Sequence, residues 1–189
     1  MRMQPDGIIG YAFVQGGDDR ALADLVAEAE SDEGDIAFVG RAVGRYSHLV
    51  KVECADLDAL DQTFRRIRAA SPGAIVDTDI ASGPLDDLPP LPWPPPQPGP
   101  WSGDDPLVAI AILVDELLED PATLAERLSA VEGVLGLTAL LSGRYFIKVG
   151  ADDLAGAVRL RREVLNIVGS AATAGVVFRA RSLDGGRAG

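Results

Sequence analysis

An α+β chain built from two tandem copies of a four-stranded βαββαβ unit is what the sequence predicts, and three observations predict it. The chain repeats itself: Gly44-Arg45-Tyr46 recurs as Gly143-Arg144-Tyr145, an offset of 99 (44 to 143). The same offset aligns Ile9-Gly10-Tyr11-Ala12-Phe13 with Val108-Ala109-Ile110-Ala111-Ile112, and Glu33-Gly34 with Glu132-Gly133. Beyond the tripeptide an offset of 97 (51 to 148) matches Lys51-Val52 and Asp56-Leu57 to Lys148-Val149 and Asp153-Leu154. Within each copy, short β-branched runs alternate with stretches of helical apolar spacing. Between the copies, nine of the 13 prolines fall from Pro84 to Pro100. The expected domains are therefore residues 1–83 and 104–189, joined by a spacer over 84–103. Two like copies in one chain suggest a pseudo-dimer, each copy offering the surface that a second subunit would supply.

The elements follow in order. Residues 7–14 and 107–114 are apolar and β-branched, as first strands require. Leu22, Leu25, Val26 and Ala29 recur at helical spacing over 19–30, as Leu124, Leu128 and Val131 do later, with Asp18 and Asp120 as N-caps. Residues 35–43 and 134–141 read as second strands, and 46–54 and 145–151 as third strands. The second helices span 56–70 and 152–168. Their apolar stripes are Leu57, Leu60, Phe64 and Ile67 in one copy, and Leu154, Val158 and Leu165, interrupted by Arg161, in the other. Residues 74–81 and 173–181 close the units. This order is the ferredoxin-like plan, in which both helices cover one face of an antiparallel sheet. In the spacer, proline fixes φ and removes the amide donor, so an extended segment pinned by Trp93 and Trp101 is expected, in preference to a ligand for a proline-recognition module.

Alternation assigns the sheet faces. Ile9, Tyr11 and Phe13 are bulky and are expected under the helices, as are Val108, Ile110 and Ile112. Gly10, Ala12, Ala109 and Ala111 then line the opposite face, with Leu49 and Phe146. Small residues there admit a second layer, so the two sheets are expected to pack together as an intrachain, dimeric α-β barrel-like pseudo-dimer.

Composition narrows the function. The formal charge is −12, divided as −7 over residues 1–83, −2 over 84–103 and −3 over 104–189. Neither copy has the basic surplus of a nucleic-acid reader. Cys54 is the single cysteine, which excludes an intrachain disulfide. Met1-Arg2-Met3-Gln4-Pro5-Asp6 lacks the apolar core of a signal peptide, and no run is long enough to span a bilayer. A cytoplasmic protein without membrane contact is expected.

Residues 33–81 carry a further pattern. A strand leads through Gly44 and Tyr46 into a strand ending Lys51-Val52. An Asp56-Leu57 helix start follows with Leu60, then a Pro72-Gly73 turn into the last strand. This resembles the effector-binding (RAM) domain of Lrp/AsnC regulators; the second copy retains Tyr145, Lys148, Val149, Asp153 and Leu154 but no Pro-Gly turn. The resemblance implies a domain that dimerises through its sheets and binds amino acids or related small molecules near subunit interfaces, regulating transcription through an attached helix-turn-helix. Only six residues precede the first strand here, so direct DNA binding does not carry over. The family's turn Asp is replaced by Ser47 in the first copy, and by Arg144 or Phe146 in the second. The expected ligand-binding residues are Gly44, Arg45, Tyr46 and Ser47, with Gly143 and Arg144 as a degenerate counterpart. The glycines allow close backbone approach, and the arginines and Ser47 donate to a carboxylate.

Catalytic chemistry is not written in any linear motif. His48 is the only histidine; strand parity places it with Tyr46, Val50 and Val52 toward the helices, as a core or edge residue. Cys54 reads as a buried, inert thiol. Gly16-Gly17 lacks the lysine and spacing of a phosphate loop. The pairs Asp18-Asp19, Asp86-Asp87, Asp104-Asp105 and Asp152-Asp153 are explained by helix caps and solvation. Arg65, Arg66 and Arg68, and Arg159, Arg161 and Arg162, read as solvated helix faces. Lys51 and Lys148 point to the sheet side, where each meets an anionic ligand or, preferably, a structural partner such as Asp77 or Asp79. The resulting expectation is a non-enzymatic sensing or regulatory assembly protein without cofactor, metal or catalytic residues. Its expected partners are a small-molecule effector and a homo-oligomer or regulator protein. The alternatives are a small dimeric α-β barrel enzyme, monooxygenase- or isomerase-like, with His48 as base, and a purely structural oligomerisation module.

Overall fold

The computed structural model describes residues 7–18, 20–31, 34–81, 108–117, 119–151, 153–169 and 172–179. The proline-rich spacer, with Trp93 and Trp101, lies outside them. In chain order the elements are β1 (Ile8–Gln15), α1 (Ala23–Ser31), β2 (Ile36–Val43), β3 (His48–Cys54), α2 (Leu57–Ala69) and β4 (Ile75–Ile80), followed by β5 (Val108–Val114), α3 (Pro121–Ser129), β6 (Val134–Ala139), β7 (Tyr145–Ala151), α4 (Leu154–Val168) and β8 (Ala172–Arg179). The chain divides into two compact units, one built on β1–β4 and the other on β5–β8. Each is βαββαβ with an antiparallel sheet, ordered β4-β1-β3-β2 in the first and β8-β5-β7-β6 in the second. The repeated order is the ferredoxin-like plan expected from the sequence.

Local chemistry sets the helix starts. Asp56, Asp120 and Asp153 are extended N-caps whose carboxylates accept from Ala59, from Ala122 and Thr123, and from Gly156, satisfying amides that the first turn leaves unpaired. Pro121 occupies the first turn of α3, where a missing N–H costs nothing. Asp18 accepts from the Arg20 amide ahead of α1. Leu22, Leu25 and Val26 are buried, as are Leu124, Leu128 and Val131.

Two expected stripes are displaced. In α2, Leu57 is exposed and Leu60, Thr63, Phe64 and Ile67 form the buried line. In α4 the core line is Ala157, Leu160, Val164 and Val168, leaving Val158 exposed and Arg161 on the solvated face. That line is apolar throughout, whereas the expected one would have buried a guanidinium.

The face of β1 is the larger correction. The helix-side core of the first unit contains Ala12, Val14, Val50, Val52, Leu60, Phe64 and Ile67. A Cβ on Gly10 would lie 2.7 Å from both Leu60 Cδ1 and Phe64 Cζ. The small residues of β1 therefore lie under α2, and Tyr11 and Phe13 occupy the helix-free face, which is itself buried, at 1% and 3% exposure. Leu60 and Phe64 descend so close to the sheet that a bulky residue beneath them has no room. In the second unit Ile112 does sit in the helix-side core, as expected.

Strand register explains why one rule succeeded in one copy only. Val14 pairs with His48 and Tyr11 with Lys51; Val114 pairs with Tyr145 and Ala111 with Lys148. The third strands thus correspond at the expected offset of 97, but the first strands correspond at 100 (14 to 114) rather than 99. A slip of one residue exchanges the faces of a strand.

Candidate functional site

The Gly44–Ser47 turn joins β2 to β3. Gly44 has φ +147°, in the region that favours glycine, and is exposed together with Arg45. Tyr46 precedes β3 and does not share the helix side with His48. Its ring lies 5.3 Å from that of Phe13, on the helix-free face, and the Arg45 guanidinium sits 5.5 Å from the Tyr46 centroid. Ser47 is a knot in the backbone. Its hydroxyl donates to Val14 O (3.0 Å) and accepts from the Gly17 amide (3.0 Å), while its own amide donates to Val14 O (2.7 Å). His48 Nδ1 lies 3.1 Å from the same hydroxyl; the ring is buried, and strand parity puts it on the helix side as expected.

In the second unit the turn is closed by Leu140 N to Arg144 O (2.8 Å), the counterpart of Ala42 N to Ser47 O (2.6 Å). Arg144, rather than Phe146, therefore stands in the place of Ser47. Gly143 has φ +87° and donates to Leu140 O, and Arg144 Nε hydrogen-bonds Ser142 Oγ at 3.0 Å. Because Tyr46 lies in the turn whereas Tyr145 opens β7 and packs on the helix-side core, the two Gly-Arg-Tyr tripeptides are not structurally equivalent.

The helix-free face of the first sheet gathers a different set of groups. Tyr11 on β1 is flanked by Asp79 on β4 and by Lys51 on β3, and Lys51 is in turn opposite Phe38 on β2. Directly paired residues share a face, so Asp79, Tyr11 and Lys51 form a row across three strands with backbones about 5 Å apart. Asp79 is 5% and Tyr11 1% exposed. The Asp79 carboxylate accepts from the Ile80 amide at 3.0 Å, which fixes its orientation. Beside the row, Phe13 faces Asp77 and Leu49 in the next register and lies 6.4 Å, ring to ring, from Tyr11.

Lys51 pairs with Glu53, two residues along the same strand, at 2.5 Å. Its partner is not Asp77 or Asp79: the order β4-β1-β3 interposes a whole strand and sets the backbones of β3 and β4 about 10 Å apart. Tyr11 and Asp79 were not singled out as site residues from sequence. The signal available was the alternation Asp77-Thr78-Asp79 in the last strand, which puts two carboxylates on one face.

The register positions in the second unit are the same and their occupants are not. Ala111 stands for Tyr11, Gly175 for Asp79 and Gly136 for Phe38, around the retained Lys148.

Elsewhere the charges are structural. Burial pushes the Glu28 carboxyl up, but its hydrogen bond from Arg66, the amides of Ile36 and Asp35, and the Arg66 charge outweigh that and hold it below the ordinary glutamate range. This joins α1 to the start of β2 and to α2. Arg65 pairs with Asp61 at 2.6 Å, and Arg68 donates to Thr78. Burial, reinforced by the nearby Asp35 charge, pushes the Cys54 thiol up, away from a reactive thiolate. Among the described residues no three His, Cys, Asp or Glu side chains converge as a metal-binding group would require, and no helix is long and apolar enough to cross a membrane.

No protein-family model and no curated protein matches the sequence. The fold matches the crystal structure of an anthrone oxidase-like protein with a TM-score of 0.56 at 10% identity, covering 94% of this chain and 93% of that one. It also matches a candidate chlorite dismutase with a TM-score of 0.50 at 13% identity, covering 90% of this chain and 94% of that one. At these identities the likeness is one of fold, and the class it defines is that of α+β proteins with ferredoxin-like units. It corrects the expectation of a non-enzymatic chain, because both matched proteins carry enzyme names and neither is an Lrp/AsnC regulator. That expectation rested on the lack of a linear catalytic motif. In a fold of this kind acid and base groups are collected from separate strands, where no linear motif marks them.

Proposed function

We propose that this chain is an enzyme of the dimeric α-β barrel class, monooxygenase- or isomerase-like, with its proton-transfer groups on the helix-free face of the first sheet. The observation that carries the reading is the row Asp79, Tyr11 and Lys51, a carboxylate, a phenol and an ammonium on adjacent strands. In their cofactor-free forms both reaction types begin by removing a proton from a carbon activated by a carbonyl. Asp79 is suited to accept that proton, the Tyr11 hydroxyl to donate to the developing enolate oxygen, and Lys51 to offset its charge. An isomerase returns the proton to another carbon; a monooxygenase delivers the carbanion to dioxygen as co-substrate. The replacement of Tyr11 and Asp79 by Ala111 and Gly175 in the second unit supports assigning the chemistry to the first. The pseudo-dimeric barrel expected from the repeat belongs to the same proposal. The helix-free face bearing Tyr11, Phe13, Phe38 and Leu49, each at most 7% exposed, is too apolar to be left in water.

Anthrone is a suitable probe, since its oxidation by dioxygen to anthraquinone and water starts with such a proton loss. The purified chain should accelerate both oxygen uptake and deuterium exchange at the reactive methylene. Asp79→Asn should reduce both by about 10²- to 10⁴-fold, the range of general-base catalysis. Tyr11→Phe should slow oxidation with its fold retained by circular dichroism. No acceleration by the wild-type chain, or undiminished rates in Asp79→Asn, would reject this assignment.

A further inference from the structure

We infer that Glu53 is a positioning residue for Lys51, and that this pairing, more than the lysine itself, distinguishes the first unit's site from its counterpart in the second. The inference rests on the reading just proposed. Both units hold a lysine at the same register position, Lys51 opposite Tyr11 and Lys148 opposite Ala111, so the presence of an ammonium does not separate them. Their settings do. Residues two apart on a strand share a face, and Glu53 reaches Lys51 Nζ at 2.5 Å, the lysine side chain being 15% exposed and the glutamate 39%. In the second unit the place of Glu53 is taken by Gly150, which has no side chain, and a Cβ there would meet Leu135 Cδ1 at 2.9 Å. The Lys148 ammonium lies 5.9 Å from the centroid of the Phe146 ring.

A lysine head is a compact charge on a flexible four-carbon stem, and in a mostly buried position it follows whichever counter-charge or π-face is nearest. Glu53 fixes one placement along β3 beside Tyr11. It stands outside the row, opposite Ile9 and more exposed than Lys51, and acts through Lys51 rather than on the reacting atoms. Its loss should leave Lys51 in place in the sequence but free to leave the row.

The test uses the full-length chain and has two arms. In the first, the ammonium signal of Lys51 is followed by ¹⁵N-resolved NMR, assigned by its disappearance in Lys51→Arg. Glu53→Gln should broaden it through faster exchange with water, and Glu53→Asp should restore part of it. An unchanged Lys51 signal in Glu53→Gln overturns the inference, whatever the activity. In the second arm, anthrone oxidation by Glu53→Gln should show kcat reduced about 10- to 100-fold, as for a misplaced reacting group, with KM nearly constant and partial rescue by Glu53→Asp. A change confined to KM, or no rescue by Asp, likewise overturns it. Failure of the proposed function appears separately, as wild-type and Asp79→Asn proteins of equal rate while the Lys51 signal still responds to Glu53.

Discussion

Replacing Gly10 with alanine probes the packing that sets the whole first sheet. A methyl group there would stand 2.7 Å from Leu60 Cδ1, 2.7 Å from Phe64 Cζ and 2.9 Å from Val52 Cγ2. Carbon pairs settle at about 3.5–4.0 Å, so three neighbours must each retreat by about 1 Å. All three are buried, Val52 fully, Leu60 to 2% and Phe64 to 7% exposure, and α2 has to lift or Phe64 has to leave its rotamer. Overpacking of this kind costs about 1–3 kcal/mol, less about 0.5–1 kcal/mol recovered because alanine is a better strand residue than glycine. Urea unfolding followed by circular dichroism should therefore show a loss of about 1–2 kcal/mol, and in a unit of this size the melting temperature should fall by roughly 5–15 °C. Adding Leu60→Ala should make room for the methyl group, so the double variant should be less destabilised than the sum of the single ones by at least about 0.5 kcal/mol. If Gly10→Ala lies within about 0.5 kcal/mol of wild type, or the two changes add, Gly10 does not face α2 and the assignment of Tyr11 and Asp79 to one row on the helix-free face fails with it.

Three further outcomes are expected. Gly136→Ala, with no atom within 4 Å of the new Cβ and no positive φ, should be neutral or stabilise by about 0.4–1 kcal/mol in the same urea assay. Ser47→Ala removes the hydroxyl that ties β3 to Val14 and Gly17 and should cost about 1–3 kcal/mol, with amide exchange speeding first at Gly17. Glu28 has a carboxyl held below its ordinary range in the folded state, so the stability it contributes is present above the unfolded-state value and drains away as pH falls through the folded one. Glu28→Gln should thus be less stable than wild type at pH 7 by about 1–2 kcal/mol, with the gap narrowing as pH falls below the ordinary glutamate value near 4.5. A gap that stays constant down to pH 3 would mean that Arg66 and the Asp35 and Ile36 amides do not hold that charge.

The sequence by itself determined the elements, their order and the duplication. Those features are local: Asp56, Asp120 and Asp153 cap the turns that follow them, proline stops helices and strands, and apolar spacing of two or of three to four separates strand from helix. Lys51 was legible as a charge on the helix-free face because β3 alternates cleanly between Val50 and Val52 on one side and Leu49 and Lys51 on the other. The face of β1 was not legible. When both sides of a strand are buried, Ile9, Tyr11 and Phe13 and the intervening Gly10 and Ala12 fit either orientation, and the phase is set by how closely Leu60 and Phe64 of a distant helix approach. The candidate site depended on that choice. Only strand order brings Asp79 beside Tyr11, carries Tyr11 beside Lys51, and leaves Glu53 rather than Asp77 or Asp79 to pair with the lysine, because hydrogen-bonded register is a property of the assembled sheet and not of any one segment.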